Sequence, residues 1–252
     1  MTETGHSGSG ATLDEEEVAR FAAMADEWWD PHGKFRPLHA LNPVRLGFIC
    51  DQLCAHFGRN PHAGRSLDGL SIADIGCGGG LLCEPMARLG AQVTGLDPAH
   101  DSIDAARTHA KGQGLDIDYR ADRAEILVEA GDRYDAVLAM EVVEHVPDVP
   151  AFTQVAAQLV RPGGMVLFST INRTLKSYAL AIIGAEFVLR WLPVGTHRWD
   201  RFVTPDELAS ACVNAGLEET ARRGMVFNPL AGSWNLSADT DVNYLMAAVR
   251  PE

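Results

Sequence analysis

Positive charge is scarce in this chain: 21 lysines and arginines stand against 34 aspartates and glutamates over 252 residues, a formal net charge of −13. A surface of that sign repels phosphate backbones, which excludes nucleic acid as the main partner. Cysteine is sparse too. Cys50, Cys54, Cys77, Cys83 and Cys212 make an odd count with no C-x-x-C pair. They provide neither a disulfide framework nor a zinc site and read as reduced thiols of a cytoplasmic protein. No apolar run reaches the ~20 residues that a bilayer-spanning helix requires. Met1 to Ala11 contains neither an apolar core nor an arginine. It is expected to be a disordered tail (1–11), not a signal or transit peptide. No internal repeat is present. The remainder is ordinary for a globular protein, 46% hydrophobic and 22% charged, and long enough for one substantial α/β domain.

The stretch Leu70-Ser71-Ile72-Ala73-Asp74-Ile75-Gly76-Cys77-Gly78-Gly79-Gly80-Leu81-Leu82 reads as a buried strand, a glycine turn and a helix start. Glycine is needed where backbone turns sharply or approaches a ligand closely, because a Cβ would collide. The following helix offers unpaired N–H groups and the positive end of its dipole to a polar ligand. Two nucleotide-like ligands compete for such a turn. The dinucleotide fingerprint G-x-G-x-x-G requires a third glycine where Leu81 stands. Instead, an acid, Asp74, precedes Gly76 by two positions. It can accept hydrogen bonds from an ammonium group, which S-adenosylmethionine (SAM) carries and NAD lacks. SAM is the preferred cofactor, and an NAD-dependent dehydrogenase the alternative.

Along the chain, Leu13 to Trp29 reads as an amphipathic helix, with Val18, Phe21, Ala22, Ala25 and Trp28 at helical spacing. Asn42-Pro43 reads as the start of a second helix, reaching about Phe57. These form an N-terminal helical cap (12–68). The remainder, 69–252, alternates strand and helix and predicts an α/β fold of mostly parallel strands with helices on both faces. Strands are expected at Leu70–Ile75, Gln92–Leu96, Ile117–Arg120, Tyr134–Met140, Met165–Thr170, Leu217–Thr220 and Asp241–Val249, seven in all. Helices are expected at Leu81–Leu89, Asp101–Lys111 and Val149–Leu159, and from a capping box at Thr204-Pro205-Asp206-Glu207 to Ala215. An apolar insertion, 178–192, interrupts the alternation. It reads as a lid, a dimer face or a membrane-surface helix. The basic residues around it, from Arg173 to Arg201, suit an anionic lipid surface and a peripheral position on the inner membrane.

Candidate site residues gather at strand ends. Asp97, closing the second strand, can accept both ribose hydroxyls or merely cap the next helix. Asp122 follows the third strand, where it can hold an adenine amino group or stand solvated in a loop. Met140 closes the fourth strand and offers a polarizable thioether. Next come Glu141, Glu144 and His145. On a helical turn they would share one face at i, i+3 and i+4, and could hold a divalent metal or supply a general base.

These pieces carry a family resemblance. Asp74-x-Gly76-x-Gly78-x-Gly80 resembles motif I of class I SAM-dependent methyltransferases, and this implies a Rossmann-like fold. Nearly the whole chain, from Leu13 to Val249, resembles the O-methyltransferases of ubiquinone biosynthesis. The specific matches are Trp28-Trp29-Asp30, Gly33-x-Phe35-x-Pro37-Leu38-His39, Asn42-Pro43-x-Arg45-Leu46-Gly47 and Met140-Glu141-x-x-Glu144-His145-Val146-Pro147-Asp148. Others are Ser169-Thr170-x-Asn172-Arg173, Gly184-Ala185-Glu186, Gly195-Thr196-His197 and Asp241-Val242-Asn243-Tyr244. The resemblance implies SAM contacts at Arg45, Gly76, Asp97 and Met140, and a divalent metal such as Mg²⁺ at Glu141, Glu144 and His145. It implies methylation of two ring hydroxyls, at different stages, on polyprenylated phenols with an adjacent hydroxyl, namely 2-polyprenyl-6-hydroxyphenol and 3-demethylubiquinol. Other ubiquinone biosynthesis proteins are possible partners. A methyltransferase of another small phenol or of ring carbon, and a non-enzymatic lipid-surface scaffold, are the competing readings.

Overall fold

Eight strands form one sheet, in the order β3-β2-β1-β4-β5-β8-β6-β7. The computed structural model describes residues 14–179, 199–228 and 230–252. The parallel part comprises β1 (Ser71–Ile75), β2 (Gln92–Leu96), β3 (Asp118–Arg120), β4 (Tyr134–Met140) and β5 (Val160–Ile171). β6 (Glu218–Asn228), β7 (Ser233–Ser237) and β8 (Asn243–Val249) complete it antiparallel. All seven residues of β4 are buried, as a central parallel strand covered on both faces requires.

Alternate side chains of the same strands feed two apolar clusters. Ile72, Leu138 and Leu167 face one way, toward Phe48 and Leu53 of α2 (Arg36–His56), Met86 of α3 (Cys83–Arg88) and Ile103 of α4 (His100–Gly112). Ala73, Val137 and Phe168 face the other way. There they meet Leu127 of α5 (Ala124–Ala130), Phe152 of α6 (Val149–Leu159) and, beyond the single turn α7 (Leu175–Ser177), Leu208 of α8 (Pro205–Asn214). Strand order runs outward from β1 through β2 and β3 on one side, and from β4 through β5 on the other. The carboxyl ends of β1 and β4 thus flank the topological switch point, where open α/β sheets bind ligands.

The expected Rossmann-like layout holds, with several differences at the element level. The strand expected at Leu217–Thr220 runs on to Asn228, and β7 adds an eighth strand that pairs with it. Leu13–Trp29 is not one helix. α1 spans Glu15–Ala22, capped by Asp14, and a 3-10 turn over Ala25–Glu27 follows. The break lets Trp28 and Trp29 turn inward, where Trp28 joins a small apolar cluster with Ala25, Phe35 and Leu81; tertiary packing overrides helical propensity here. α2 begins at Arg36, not at Asn42, and carries Pro43 inside it. Pro37 occupies the first turn, where a missing N–H costs nothing. Asn42 is not a cap, since its side chain donates to the Leu81 carbonyl (2.7 Å) and accepts from Arg45 (2.9 Å). The capping box at Thr204 and Glu207 is formed as expected.

No helix among the described residues is long and apolar enough to cross a membrane. The expected tail at 1–11 and nearly all of the apolar insertion, from 180 onward, lie outside the described residues, as do Gly184-Ala185-Glu186, Gly195-Thr196-His197 and Arg190.

Candidate active site

The site grows from two turns at the switch point. After β1, Gly76, Gly78 and Gly80 take positive φ (70°, 52° and 85°), a conformation that side-chain-bearing residues adopt at a cost. After β4, Glu141 does the same with φ 58°. The turns touch: a methyl placed on Gly76 would stand 2.6 Å from Val142 Cγ2.

An aromatic plate closes the glycine turn from above. The Trp28 indole lies on Gly78 and Gly79, leaving no space for a Cβ at either. It stacks on Phe35 (centroids 3.6 Å apart) and donates its Nε1–H to Ser102 Oγ at 3.0 Å. Trp29 donates to the Gly79 carbonyl at 2.9 Å and stacks on His109 at 3.5 Å. The pair Trp28-Trp29 therefore ties the first helical segment to the turn.

Acids converge beneath this plate. Asp97 accepts from Gly78 N–H (3.0 Å) and Ala99 N–H (2.8 Å). It braces the glycine turn and the backbone leading into α4, whose N-cap is Ala99 without a side-chain cap, and still keeps free lone pairs. Burial raises its carboxyl to about 6, against these two hydrogen bonds. Asp74 is buried with Cys83 Sγ as donor at 3.2 Å; burial lifts it to about 7, while Cys83 and Arg45 oppose the rise. Arg45 sits on α2, buried, not on the helix surface. Burial lowers its pKa, and the charges of Glu141 and Asp74 counter that. Its guanidinium donates to Leu38 O and Asn42 Oδ1, yet its Nε–H finds no partner among the described residues. A buried orphan donor of that kind costs stability, and Arg45 is a wall residue of the site's cavity.

The Glu141–His145 segment is a turn and not a helix, closed by His145 N–H to Val142 O at 2.8 Å. The expected i, i+3, i+4 face is therefore absent. Glu141 accepts from Ser169 Oγ (2.8 Å), Glu144 accepts from Thr170 Oγ1 (2.8 Å), and His145 Nδ1 meets Glu17 Oε2 (2.8 Å). Each side chain is held by a different partner, and no group of three His, Cys, Asp or Glu able to hold a metal is assembled among the described residues. The donor chemistry itself suits a hard cation. Burial, with the neighbouring charge of Glu141 as the next cause, raises the Glu144 carboxyl to about 7, and two crowded carboxylates are what a divalent ion relieves. For His145, burial disfavours the charged ring, but the Glu17 hydrogen bond and the Glu144 and Glu17 charges outweigh it, and the pKa rises.

One cavity of about 970 Å³ joins these parts. Its walls include Arg45, Asp74, Gly76, Asp97, Asp122, Met140, Glu141, Glu144 and His145. Gly78, by contrast, is not on the wall and reaches the site only through its hydrogen bond to Asp97. Sequence reading missed Glu17, which meets His145 from 128 residues away. Nothing local in the helix signals that pairing. It also missed Cys83 as the donor to Asp74.

A family model described as "Methyltransferase domain" matches residues 49–221. The chain is 59% identical to a ubiquinone biosynthesis O-methyltransferase of Sinorhizobium medicae (strain WSM419), over 95% of this chain and 97% of that one. It is 55% identical to a protein of the same description from Brucella anthropi, over the full length of both. Among solved structures it is similar to magnesium protoporphyrin IX methyltransferase of Synechocystis PCC 6803 with bound SAH. There the TM-score is 0.66 at 20% identity, covering 94% of this chain and all of that one. A SAM-dependent methyltransferase of Thermotoga maritima gives a TM-score of 0.60 at 16% identity, over 93% and 98% of the two chains. These last two likenesses are of fold.

Proposed function

This chain belongs to the family of ubiquinone biosynthesis O-methyltransferases, and on that premise we propose that it transfers the sulfonium methyl of SAM, in line, to a ring hydroxyl of polyprenylated catechol-type phenols. The substrates we assign are 2-polyprenyl-6-hydroxyphenol and 3-demethylubiquinol. The observation that carries this reading is the single cavity linking Asp97 and Asp74 to Glu141, Glu144 and His145, which gives a methyl donor and a proton acceptor one shared space.

SAM supplies an already activated methyl, so positioning is most of the protein's task. In this reading Asp97 accepts the ribose hydroxyls through its free lone pairs and Asp74 accepts the ammonium. The orphan Nε–H of Arg45 pairs with the methionine carboxylate. Asp122 and Met140 line the adenosine side of the cavity. Glu144 takes the phenol proton, and His145, whose ring Glu17 orients through Nδ1, stands beside it. A divalent cation such as Mg²⁺ would be held by Glu141, Glu144 and His145 only if they turned from Ser169, Thr170 and Glu17 toward one another; held there, it would stabilise the ionised phenol oxygen.

Three measurements follow. Methyl transfer to a catechol-type quinol should be lost when the target hydroxyl is replaced by hydrogen; a methyl found on ring carbon instead would refute the O-methylation reading. If the cation is required, a chelator should abolish turnover and added Mg²⁺ restore it, whereas full activity in chelator removes the metal from the account. SAM affinity should also fall with acid. Asp97 at about 6 and Asp74 at about 7 must be charged to accept the ligand's donors, and binding to the charged form lowers both pKa values. Affinity is then greatest between about pH 7 and the ligand's own ammonium pKa, about 8, and declines through and below about 6, by up to roughly tenfold per pH unit for each group. A dissociation constant independent of pH across this window would contradict both assignments.

A further inference from the structure

The β6–β7 hairpin reaches beyond the sheet it completes. β6 pairs with β8 as far as Gly224, opposite Tyr244; from Met225 to Asn228 it pairs with β7 alone, Ser233 to Leu236. β8 runs antiparallel to β5, with Asn243 opposite Ile171. The overhang therefore projects past the carboxyl edge of the parallel strands, the edge that carries Asp97 and the Glu141–His145 turn. Side chains alternate along a strand, so Met225 and Phe227 share a face with their cross-strand partners Leu236 and Trp234. Met225 is buried at the root, but Phe227 is 46% exposed, Leu236 40%, and Leu230 in the connecting turn 98%. The Phe227 and Trp234 rings lie 5.5 Å apart. An open apolar strip on an edge hairpin is a liability unless something covers it.

The same strip walls one arm of the cavity. Met225, Phe227 and Trp234 line it together with Leu38 and Leu41 of α2, and the space is continuous with Glu141 and Asp97. Its 970 Å³ stands near the top of the roughly 300–1,000 Å³ that a whole drug-sized ligand fills. Lys176, also on the wall, is bound to Asp239 (2.6 Å) and Asp241 (3.3 Å), which leaves it no free charge for an anionic group. We propose that this arm is the subsite for the isoprenoid tail of the substrate. The first units run between α2 and the hairpin and leave past Phe227, and Phe227 and Trp234 set the preference for tailed over tail-less phenols. Branched, unsaturated isoprene units are apolar and suit aromatic walls. The inference rests on the phenol O-methylation reading above.

The test is steady-state methyl transfer by the full chain to catechol head groups carrying no, one or three isoprene units. For the wild type, kcat/KM should rise about tenfold or more with the tail, through KM. Phe227→Ser and Trp234→Ala should each erase most of that gain and change kcat/KM on the tail-less compound by less than about twofold. SAM titration calorimetry reports folding; because Phe227 is half-exposed, its variant decides the matter should Trp234→Ala fail to fold. Equal losses on tailed and tail-less compounds, or a full tail preference in both variants, would overturn the proposal. A dimer that Phe227→Ser dissociates, with tail preference intact, would assign the strip to a second copy and overturn it too. Wild-type activity on the tail-less compound with no gain from a tail defeats the subsite alone. No transfer to any of the three compounds defeats the functional reading.

Discussion

Asp97→Ala should weaken SAM binding by at least about a hundredfold. Two hydrogen bonds from ribose hydroxyls to a carboxylate are worth about 1.5–3 kcal/mol each, and about 1.4 kcal/mol is a factor of ten. Their loss alone gives roughly 10² to 10⁴. The Gly78 N–H, now held at 3.0 Å by the same carboxylate, would lose its partner as well. Asp97→Asn keeps one oxygen and the side-chain shape, so its loss should be smaller. Titration calorimetry with SAM, on variants with unchanged circular dichroism, measures the difference. Wild-type affinity in Asp97→Ala would remove Asp97 from the cofactor site.

The second large effect concerns the aromatic plate. Gly78→Ala places a methyl against the Trp28 ring, on a backbone at φ 52°. The left-handed conformation costs about 1–2 kcal/mol for an alanine, and overpacking a filled space adds about 1–3 kcal/mol. The sum is a large part of the 5–15 kcal/mol that typically holds a domain folded. Trp28→Ala should itself cost about 3–5 kcal/mol, as truncation of a buried tryptophan does. In that background the Gly78→Ala methyl meets open space, and its further cost should shrink to the backbone strain alone. Urea denaturation of the four proteins in this cycle reads the coupling. Strictly additive costs would show that Trp28 and the glycine turn do not share one packed volume.

Legibility followed the range of the signal. β1, β2 and β4 and helices α6 and α8 were readable because apolar period, prolines and capping residues are local, and the capping box at Thr204 acts within four residues. The start of α2 was misread because Asn42-Pro43 imitates a helix opening. Pro37, six residues earlier, does the work, and Asn42 is spent on Leu81 and Arg45. The Glu141 turn was misread because a periodicity argument assumes helical backbone, while Glu141 takes positive φ where β4 passes against the glycine turn. Glu17 could not have been found, since its meeting with His145 is made by the fold. The cofactor end of the site is thus announced by the Asp74–Gly80 motif, although Arg45, Asp97 and Met140 join it from other elements. The acceptor end is assembled from α1, β5 and the β4 turn.

The most direct test of the central claim is to incubate the purified chain with methyl-labelled SAM and a polyprenylated catechol, then locate the label. The account predicts one label on the ring oxygen for each S-adenosylhomocysteine released. Label on ring carbon, or none transferred while the chain still binds SAM, would contradict it.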